Sequence, residues 1–217
     1  MARPTKTSSA VRPARSKKRR GYHHGDLRQA LVDSARALLV SGGPAALTLR
    51  AAARAAGVSQ TAPYRHFASR VDMLAAVAEE AFRRLHARML EGAASRPGMR
   101  ALQQIAVEYV RFALESPAEY RVMFGREAAE IEKTSAGRAL EDASGAVMNL
   151  LEGGIVEMQR AGVIRPGDPA VMAFAAWSLV HGVVMLTLDG QGSRTRAKPP
   201  EELVREATSL LMVGMKA

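Results

Sequence analysis

The sequence predicts an all-α protein, and three of its features support this prediction. Apolar side chains recur at three- and four-residue spacing along most of the chain, as in Leu27, Leu31 and Leu38. Alternating runs of β-branched residues bounded by turns are missing, and aromatic residues make up only 5% of the chain, so a sheet has little to build from. Because the chain has 217 residues, 47% of them hydrophobic, one or two domains with a substantial core are expected.

Glycine, proline and capping residues divide the periodic segments into successive helices. The first helix is stopped by Gly42-Gly43-Pro44, and a later, strongly apolar one begins at the capping pair Asp168-Pro169 and ends at Asp189-Gly190. Residues 191–200 read QGSRTRAKPP and predict a polar loop. We therefore expect helices over residues 26–40, 49–56, 71–92, 99–115, 117–124, 135–161, 169–188 and 200–215.

Residues 48–70 read TLRAAARAAGVSQTAPYRHFASR and predict a helix-turn-helix. Thr48 is placed to cap a first helix of strong helix formers, and Gly57 supplies the left-handed residue at which that helix stops. Ser59 is placed to cap a second helix, whose hydrogen-bonding side chains over residues 60–66 suit the major groove of DNA. Two surface helices separated by a glycine stop would fit the same residues.

Positive charge is concentrated beside this segment. Residues 1–21 carry eight Lys or Arg and no acid, residues 22–70 carry six Arg against two Asp, and the remainder of the chain brings the total to +10. We expect residues 1–21 to form a disordered basic arm that neutralises phosphates or enters a minor groove. A solvated tail without a defined partner is the alternative.

The composition and motifs argue against a secreted protein and against an enzyme. The chain has no cysteine, and its basic N-terminus has no apolar segment behind it, so we expect a cytoplasmic protein without a signal peptide. P-loop, GxSxG, HExxH and dinucleotide-binding motifs are absent, which predicts no catalytic residues and no cofactor. His23-His24 could bind a metal, but no metal site is expected there.

The segment over residues 169–188 carries no formal charge and is long enough to span a bilayer. Ser178, His181, Gly182 and Thr187 interrupt it, and capping residues bound it as in a soluble helix. We therefore expect no membrane span. A helix this apolar must be covered, and the expected cover is its own core on one face and a second copy of the chain on the other, which predicts a homodimer.

The stretch over residues 25–80 resembles the DNA-binding domain of the tetracycline repressor (TetR) family. The resemblance rests on an Ala- and Leu-rich helix, a GVS turn, an aromatic residue and a histidine near the end of the recognition helix, then a phenylalanine and a cation before a long helix. These features are Gly57-Val58-Ser59, Tyr64, His66, Phe67 and Arg70. The later stretch AAWSLVHGVVMLTLDG resembles a subgroup named for its Trp-His-Gly motif, here Trp177, His181 and Gly182.

The resemblance implies which residues contact DNA. The positions that match the family's phosphate contacts are Thr48, Tyr64, His66 and Arg70, and those that face base edges are Gln60, Thr61 and Ala62. Their chemistry agrees, because Gln pairs with adenine, Thr offers a hydroxyl and a methyl group, and Ala contacts the thymine methyl. Pro63 departs from the family's commoner residues, and it costs little only if it lies in the first turn of the helix.

The resemblance also implies a domain order and an effector. It divides the chain into the arm, a DNA-binding domain over residues 22–70 with a linking helix over 71–92, and a helical effector-binding and dimerisation domain over 93–217. Aromatic and apolar residues in the last part are candidates to line the effector pocket, although ordinary core or, for the histidine, a dimer interface would also explain them. The candidates are Tyr109, Phe112, Tyr120, Met123, Phe124, Met148, Trp177 and His181.

The sequence thus predicts a DNA-binding transcriptional regulator. The favoured form is a homodimeric repressor that binds double-stranded DNA at a palindromic operator and is released by a small apolar or amphipathic effector. The alternatives are an architectural DNA-binding protein without an effector and a helical small-molecule-binding protein or enzyme.

Overall fold

A computed structural model describes residues 24–191 and 198–216. Over these ranges the chain forms nine α-helices and one turn of 3-10 helix, with no β-strand, which confirms the all-α prediction. The predicted basic arm and His23 lie outside the described residues. The helices are α1 (His24–Ala46), α2 (Leu49–Ala55), α3 (Arg70–Ala94), α4 (Met99–Glu115), α5 (Pro117–Phe124), α6 (Arg126–Ile131), α7 (Gly137–Arg160), α8 (Pro169–Leu188) and α9 (Pro200–Met215), and the 3-10 turn spans Ala62–Arg65.

Most helix boundaries agree with the sequence prediction because capping residues mark them. The predicted bounds of α4, α5, α8 and α9 are those observed, and α3 and α7 differ by one or two residues at each end. In α1 the helix breaks at Gly43, whose φ is 66°, within the segment where the sequence predicts its end. One more helical turn then runs to Ala46. The short helix α6 was not predicted, because six residues are too few to show a periodic pattern.

Helix α3 is the central helix of the molecule, because it packs against α1, which precedes it in the chain, and against α4, α5, α6 and α7, which follow it. Its N-terminus is closed by a capping box in which the Asp72 amide donates to Ser69 Oγ at 3.1 Å and the Ser69 amide donates to Asp72 Oδ2 at 3.0 Å. One face of α3 is buried from Met73 to Met89. Helices α1 and α2 with the 3-10 turn lie at its start, and α4, α7, α8 and α9 form the larger part of the molecule.

The buried apolar side chains form two clusters rather than one. The larger cluster joins α1, α2 and α3 to α4, α5 and parts of α7 and α8. The smaller one lies where the end of α7 meets α8 and α9, and contains Ile155, Met158, Ile164, Ala173 and Met215. The two clusters are separate sets of buried side chains. The partly buried Leu102 of α4 packs against both of them.

Candidate DNA-binding surface and apolar pocket

The first half of the helix-turn-helix forms as the sequence predicts. The Ala51 amide donates to Thr48 Oγ1 at 3.0 Å, so Thr48 is the N-cap of α2. At the other end Gly57 has a φ of 68°, and the amides of Gly57 and Val58 donate to the carbonyls of Arg54 and Ala53. This is a Schellman motif, which satisfies the last carbonyls of the helix and fixes the turn.

The second half differs from the prediction. Instead of a helix capped by Ser59, a single turn of 3-10 helix begins after Thr61, and Ser59 Oγ lies 3.2 Å from Thr61 Oγ1. The reason is Pro63, which has no amide hydrogen with which to bond the Ser59 carbonyl four residues earlier. The turn closes through bonds of shorter span, such as Ala62 N to Ser59 O at 3.0 Å. Pro63 lies in the first turn, where its missing donor costs little.

The 3-10 turn presents one face to the core and the other to solvent. Pro63 and Phe67 are buried and anchor it, and Ala62 is half-buried. Gln60, Thr61 and Tyr64 are exposed, with 55% of Tyr64 accessible, so these three side chains predicted to contact DNA face solvent. Arg65 is exposed in the same turn and is not among the predicted contacts, although its positive charge within a run of hydrogen-bonding residues could have identified it.

The predicted phosphate-contacting residues differ in exposure and in the hydrogen bonds that they already make within the protein. Thr48 is exposed, and its hydroxyl keeps its own hydrogen while the oxygen caps α2. In His66 the Nε2 atom is buried without a hydrogen-bond partner, which leaves Nδ1 as the ring nitrogen that a phosphate could reach. The guanidinium of Arg70 donates to the carbonyls of Pro44 at 2.8 Å and Leu47 at 3.0 Å, so it closes the connection between α1 and α2. Its contact with DNA stays a prediction.

The cations of the N-terminal helices divide into two groups. Arg36 and Arg70 are engaged within the protein, Arg36 with Glu80 and Arg70 with backbone carbonyls. The others are exposed and make no ion pair within the described part of the chain; they are Arg28, Arg50, Arg54 and Arg65. Arg28 lies over the ring of Phe67 at 5.7 Å, which holds it beside the 3-10 turn.

An apolar pocket lies among α4, α7, α8 and α9, with Met89 of α3 at its edge, in the gap between the two core clusters. Its open space is about 50 Å³, room for a few water molecules at most. The walls are lined by Met89, Met99, Leu102, Ile105, Ala106, Tyr109, Val147, Met148, Leu151, Ile155, Met158, Ile164, Ala176, Trp177, Val180, Thr208, Leu211, Met212 and Met215.

Three of the predicted effector-pocket residues line this pocket, and five do not. Those that line it are Tyr109, Met148 and Trp177. Phe112 is buried under the guanidinium of Arg84, while Met123 and Phe124 line a separate open groove beside Phe82. Tyr120 and His181 lie behind Tyr109 and contact it by hydrogen bonds, so an effector contact for these five residues stays a prediction.

Tyr109, Tyr120, Trp177 and His181 form a chain of hydrogen bonds beside the pocket. Trp177 Nε1 donates to the Tyr109 hydroxyl at 3.2 Å, which lies 3.0 Å from the Tyr120 hydroxyl, and this in turn lies 2.6 Å from His181 Nδ1. Burial raises the pKa of both tyrosines and lowers the pKa of His181, so all four groups are neutral at pH 7. If each hydroxyl donates along the chain, His181 Nδ1 accepts and its proton resides on Nε2.

An ion-pair cluster joins the N-terminal helices to α5. Arg36 on α1 contacts Glu80 on α3 at 2.5 Å, and its Nε lies 3.5 Å from Glu119 Oε1 on α5. Arg84 on α3 also contacts Glu119. Glu119 is only 3% exposed, and the next residue on α5 is Tyr120 of the hydrogen-bonded chain. Helix α5 therefore contacts both the DNA-binding helices and the residues beside the pocket.

Helices α8 and α9 pack against each other, and each exposes large apolar side chains. These are Val171, Phe174, Leu186, Leu210 and Val213, and Phe174 and Leu210 are 60% and 76% exposed. Among the described residues α8 is long and apolar enough to cross a membrane by length and composition, with a mean hydropathy of 1.9, and only 17% of it is buried. The described residues contain no cluster of side chains that could hold a metal ion.

Two family profiles match the sequence in the order that the fold suggests. Residues 31–77, which include the helix-turn-helix, match the bacterial regulatory proteins of the tetR family. Residues 102–211, half of the chain, match the tetracyclin repressor-like C-terminal domain. The chain belongs to the TetR family. A search of curated proteins finds no match.

Solved structures agree with this TetR assignment. A protein of unknown function from Rhodococcus sp. RHA1 is 32% identical, with a TM-score of 0.80 over 92% of this chain and 100% of that one. The TetR family transcriptional regulator PfmR from Thermus thermophilus is 19% identical, with a TM-score of 0.66 over 86% and 99%. The fatty acid degradation regulator FadR from Bacillus halodurans is 15% identical, with a TM-score of 0.69 over 91% and 98%. The last two similarities concern the fold alone.

Family membership fixes the general function of this TetR protein. It is a DNA-binding transcriptional regulator and not an enzyme, because regulators of this family do not catalyse reactions. The subgroup named for Trp-His-Gly stays a resemblance, carried by Trp177, His181 and Gly182 on α8.

Proposed function

We propose that this regulator is a cytoplasmic repressor that binds a palindromic operator as a homodimer and leaves it when a small effector enters the apolar pocket. The observation that carries the proposal is the course of α3. The helix begins at Arg70, next to the exposed 3-10 turn, and Met89 near its other end lines the pocket. A ligand that displaces Met89 therefore acts on the same rigid element that carries the DNA-binding helices.

The proposed homodimer forms through the exposed apolar side chains of α8 and α9. Several large apolar side chains exposed on two helices that pack together are uncommon on monomers and mark interaction sites. Two copies that join α8 and α9 about a twofold axis would bury these side chains in a four-helix interface. The same axis would relate the two DNA-binding units, and such a dimer recognises a palindrome.

On DNA, Gln60, Thr61 and Ala62 are proposed to contact base edges. The proposed phosphate contacts are Thr48, Tyr64, His66 and Arg70, and the exposed Arg65 joins them. The basic arm over residues 1–21 is proposed to add salt-dependent contacts. Specific binding requires the DNA-contacting turns of the two subunits to lie about 34–36 Å apart, or a multiple of this distance. An effector that tilts α3 would change this separation and release the operator.

Gln60→Ala is expected to cost about 1–3 kcal/mol of binding free energy on the preferred operator and to relax the preference at one base pair per half-site. Tyr64→Phe, its matched control four residues later, removes a proposed phosphate contact and should weaken all duplexes alike. The measurement is a fluorescence anisotropy titration of an operator selected from random duplexes and of a scrambled duplex. Equal losses on both duplexes for Gln60→Ala would contradict base reading by this residue.

Effector release predicts a reciprocal effect of the operator on the effector. The effector is the compound, from a screen of apolar molecules, that most changes the fluorescence of Trp177, the single tryptophan of the chain. Saturating operator should weaken effector binding, and the effector should weaken operator binding by the same factor, typically 5- to 150-fold. If the two affinities are independent, the protein is an architectural DNA-binding protein that happens to hold a small molecule.

A further inference from the structure

We infer that the effector carries no charge, and that the pocket accepts neutral hydrophobic molecules of more than one shape. This inference rests on the proposed function, because it names the class of ligand for the same pocket. Its basis is the chemistry of the pocket walls and the way each polar atom in them is already bonded.

The pocket walls contain no charged side chain. Of the residues that line the pocket, only Tyr109, Trp177 and Thr208 carry a polar side-chain atom. Trp177 Nε1 donates to Tyr109, and Thr208 Oγ1 lies 2.7 Å from the Val204 carbonyl, to which it donates. The Tyr109 hydrogen is directed to Tyr120 or His181. No free donor remains to bind a carboxylate, and no carboxylate is present to bind an amine.

The charged residues Glu108 and Arg111 of α4 lie outside the pocket walls and are paired with neighbouring charges. On α4, Glu108 contacts Arg88 at 3.2 Å and Arg111 at 2.9 Å. Buried Gln104 donates to Glu108 at 2.9 Å and lies 3.3 Å from Arg205 of α9. These charges lie among α3, α4 and α9 on a polar surface, and none belongs to the pocket walls. A charged group that entered the pocket would lose its water and gain no partner.

Methionine makes the pocket walls adaptable. Methionine side chains lining the pocket are Met89, Met99, Met148, Met158, Met212 and Met215. Each has three rotatable bonds and a polarisable sulfur, so it can move aside for ligands of different shape and contact aromatic rings favourably. Because the present space is only about 50 Å³, a ligand of eight or more carbon atoms must displace such side chains. Flexible walls of this kind favour tolerance of shape over strict recognition.

The test compares 1-octanol, octanoate and octylammonium at pH 7, which share a chain and differ in head-group charge. Binding to the full-length protein is followed by the fluorescence of Trp177, which lines the pocket, and by the shift in thermal midpoint. We expect 1-octanol to give a saturable change, and both ions to bind at least tenfold more weakly. Octanoate or octylammonium binding as tightly as 1-octanol would overturn the inference, and so would a failure of all three to bind.

Two variants locate the site. Ala176→Leu adds bulk inside the pocket and should weaken 1-octanol at least tenfold, whereas Ala139→Leu makes the same change at an exposed position of α7 and should leave its affinity unaltered. Equal affinities in the two variants would place the ligand elsewhere and overturn the inference. The anisotropy of a labelled operator distinguishes the inference about the ligand from the proposed function. If 1-octanol binds to the protein but the operator stays bound, effector release is contradicted, while the inference that the ligand is uncharged still holds.

Discussion

The double substitution Phe174→Glu and Leu210→Glu is expected to turn the proposed dimer into a monomer. It should lower the affinity for an operator with two half-sites by about 10²- to 10⁴-fold. These side chains are among the most exposed apolar ones of α8 and α9, so in a monomer the change costs little stability. In the proposed interface each new carboxylate would lie close to its symmetry copy without a partner. Each half-site would then be bound alone, and the gain from linking two recognition units would be lost.

The mass of the protein in solution and its operator affinity are measured together for this variant. Sedimentation equilibrium gives the oligomeric state, and anisotropy gives the affinities for a full operator and for a single half-site. Leu90→Glu on α3 is the control, because Leu90 is also an exposed large apolar residue but lies outside α8 and α9. A double variant that stays dimeric, or a monomer that binds the full operator as well as the native protein does, would refute the proposed interface.

Local signals explain why the sequence predicted the helices so well. Thr48, Asp168 and Gly57 act through bonds to neighbours within a few residues, so their roles are readable from the chain alone. The 3-10 turn is the exception. There the sequence shows a run of hydrogen-bonding residues after a serine that is predicted to cap a helix, but the missing amide hydrogen of Pro63 decides which turns can close.

The pocket was harder to predict because its walls come from five helices and one loop. Tyr109, Met148 and Trp177 were identified as aromatic or apolar residues at helical spacing, a pattern that fits any core residue. Met99, Met212 and Met215 give no separate signal, since only the approach of the end of α9 to the start of α4 makes them wall residues. Position in space, rather than residue type, separates the pocket from the core.

Charge shows the same limit of sequence analysis. From the sequence, all six arginines over residues 22–70 contribute alike to the positive charge beside the helix-turn-helix. In the structure Arg36 is engaged with Glu80 and Glu119, which lie 44 and 83 residues later in the chain, and Arg70 bonds two carbonyls. Contacts between residues so far apart in the chain have no local signature. Four of the six arginines are exposed without an ion pair to any described residue, so fewer of them are free to contact DNA than the charge count suggests.

Glu119→Gln is expected to lower the free energy of unfolding by about 3 kcal/mol, because breaking a buried ion pair strands the opposite charge. The Nε atoms of Arg36 and Arg84 are buried without a hydrogen bond, and the Glu119 carboxylate lies against both side chains. Burial lowers the pKa of Arg84, and the nearby charge of Arg36 lowers it further, so the two cations repel each other once Glu119 is neutral. The loss falls at the low end for buried pairs, because 26% of the Arg36 side chain and 38% of the Arg84 side chain remain exposed.

Glu115→Gln is the matched control for this prediction. Glu115 pairs with Arg88 at 2.5 Å, but its side chain is 60% exposed, so the same substitution should cost no more than about 1 kcal/mol. Urea unfolding followed by circular dichroism measures both variants, and Arg36→Gln alone and combined with Glu119→Gln completes a double-mutant cycle. Strictly additive losses, or equal losses for Glu119→Gln and Glu115→Gln, would show that Glu119 does not hold α1 to α5. A coupling energy above about 0.5 kcal/mol would identify this contact as the one through which α5 joins the DNA-binding helices to the side chains beside the pocket.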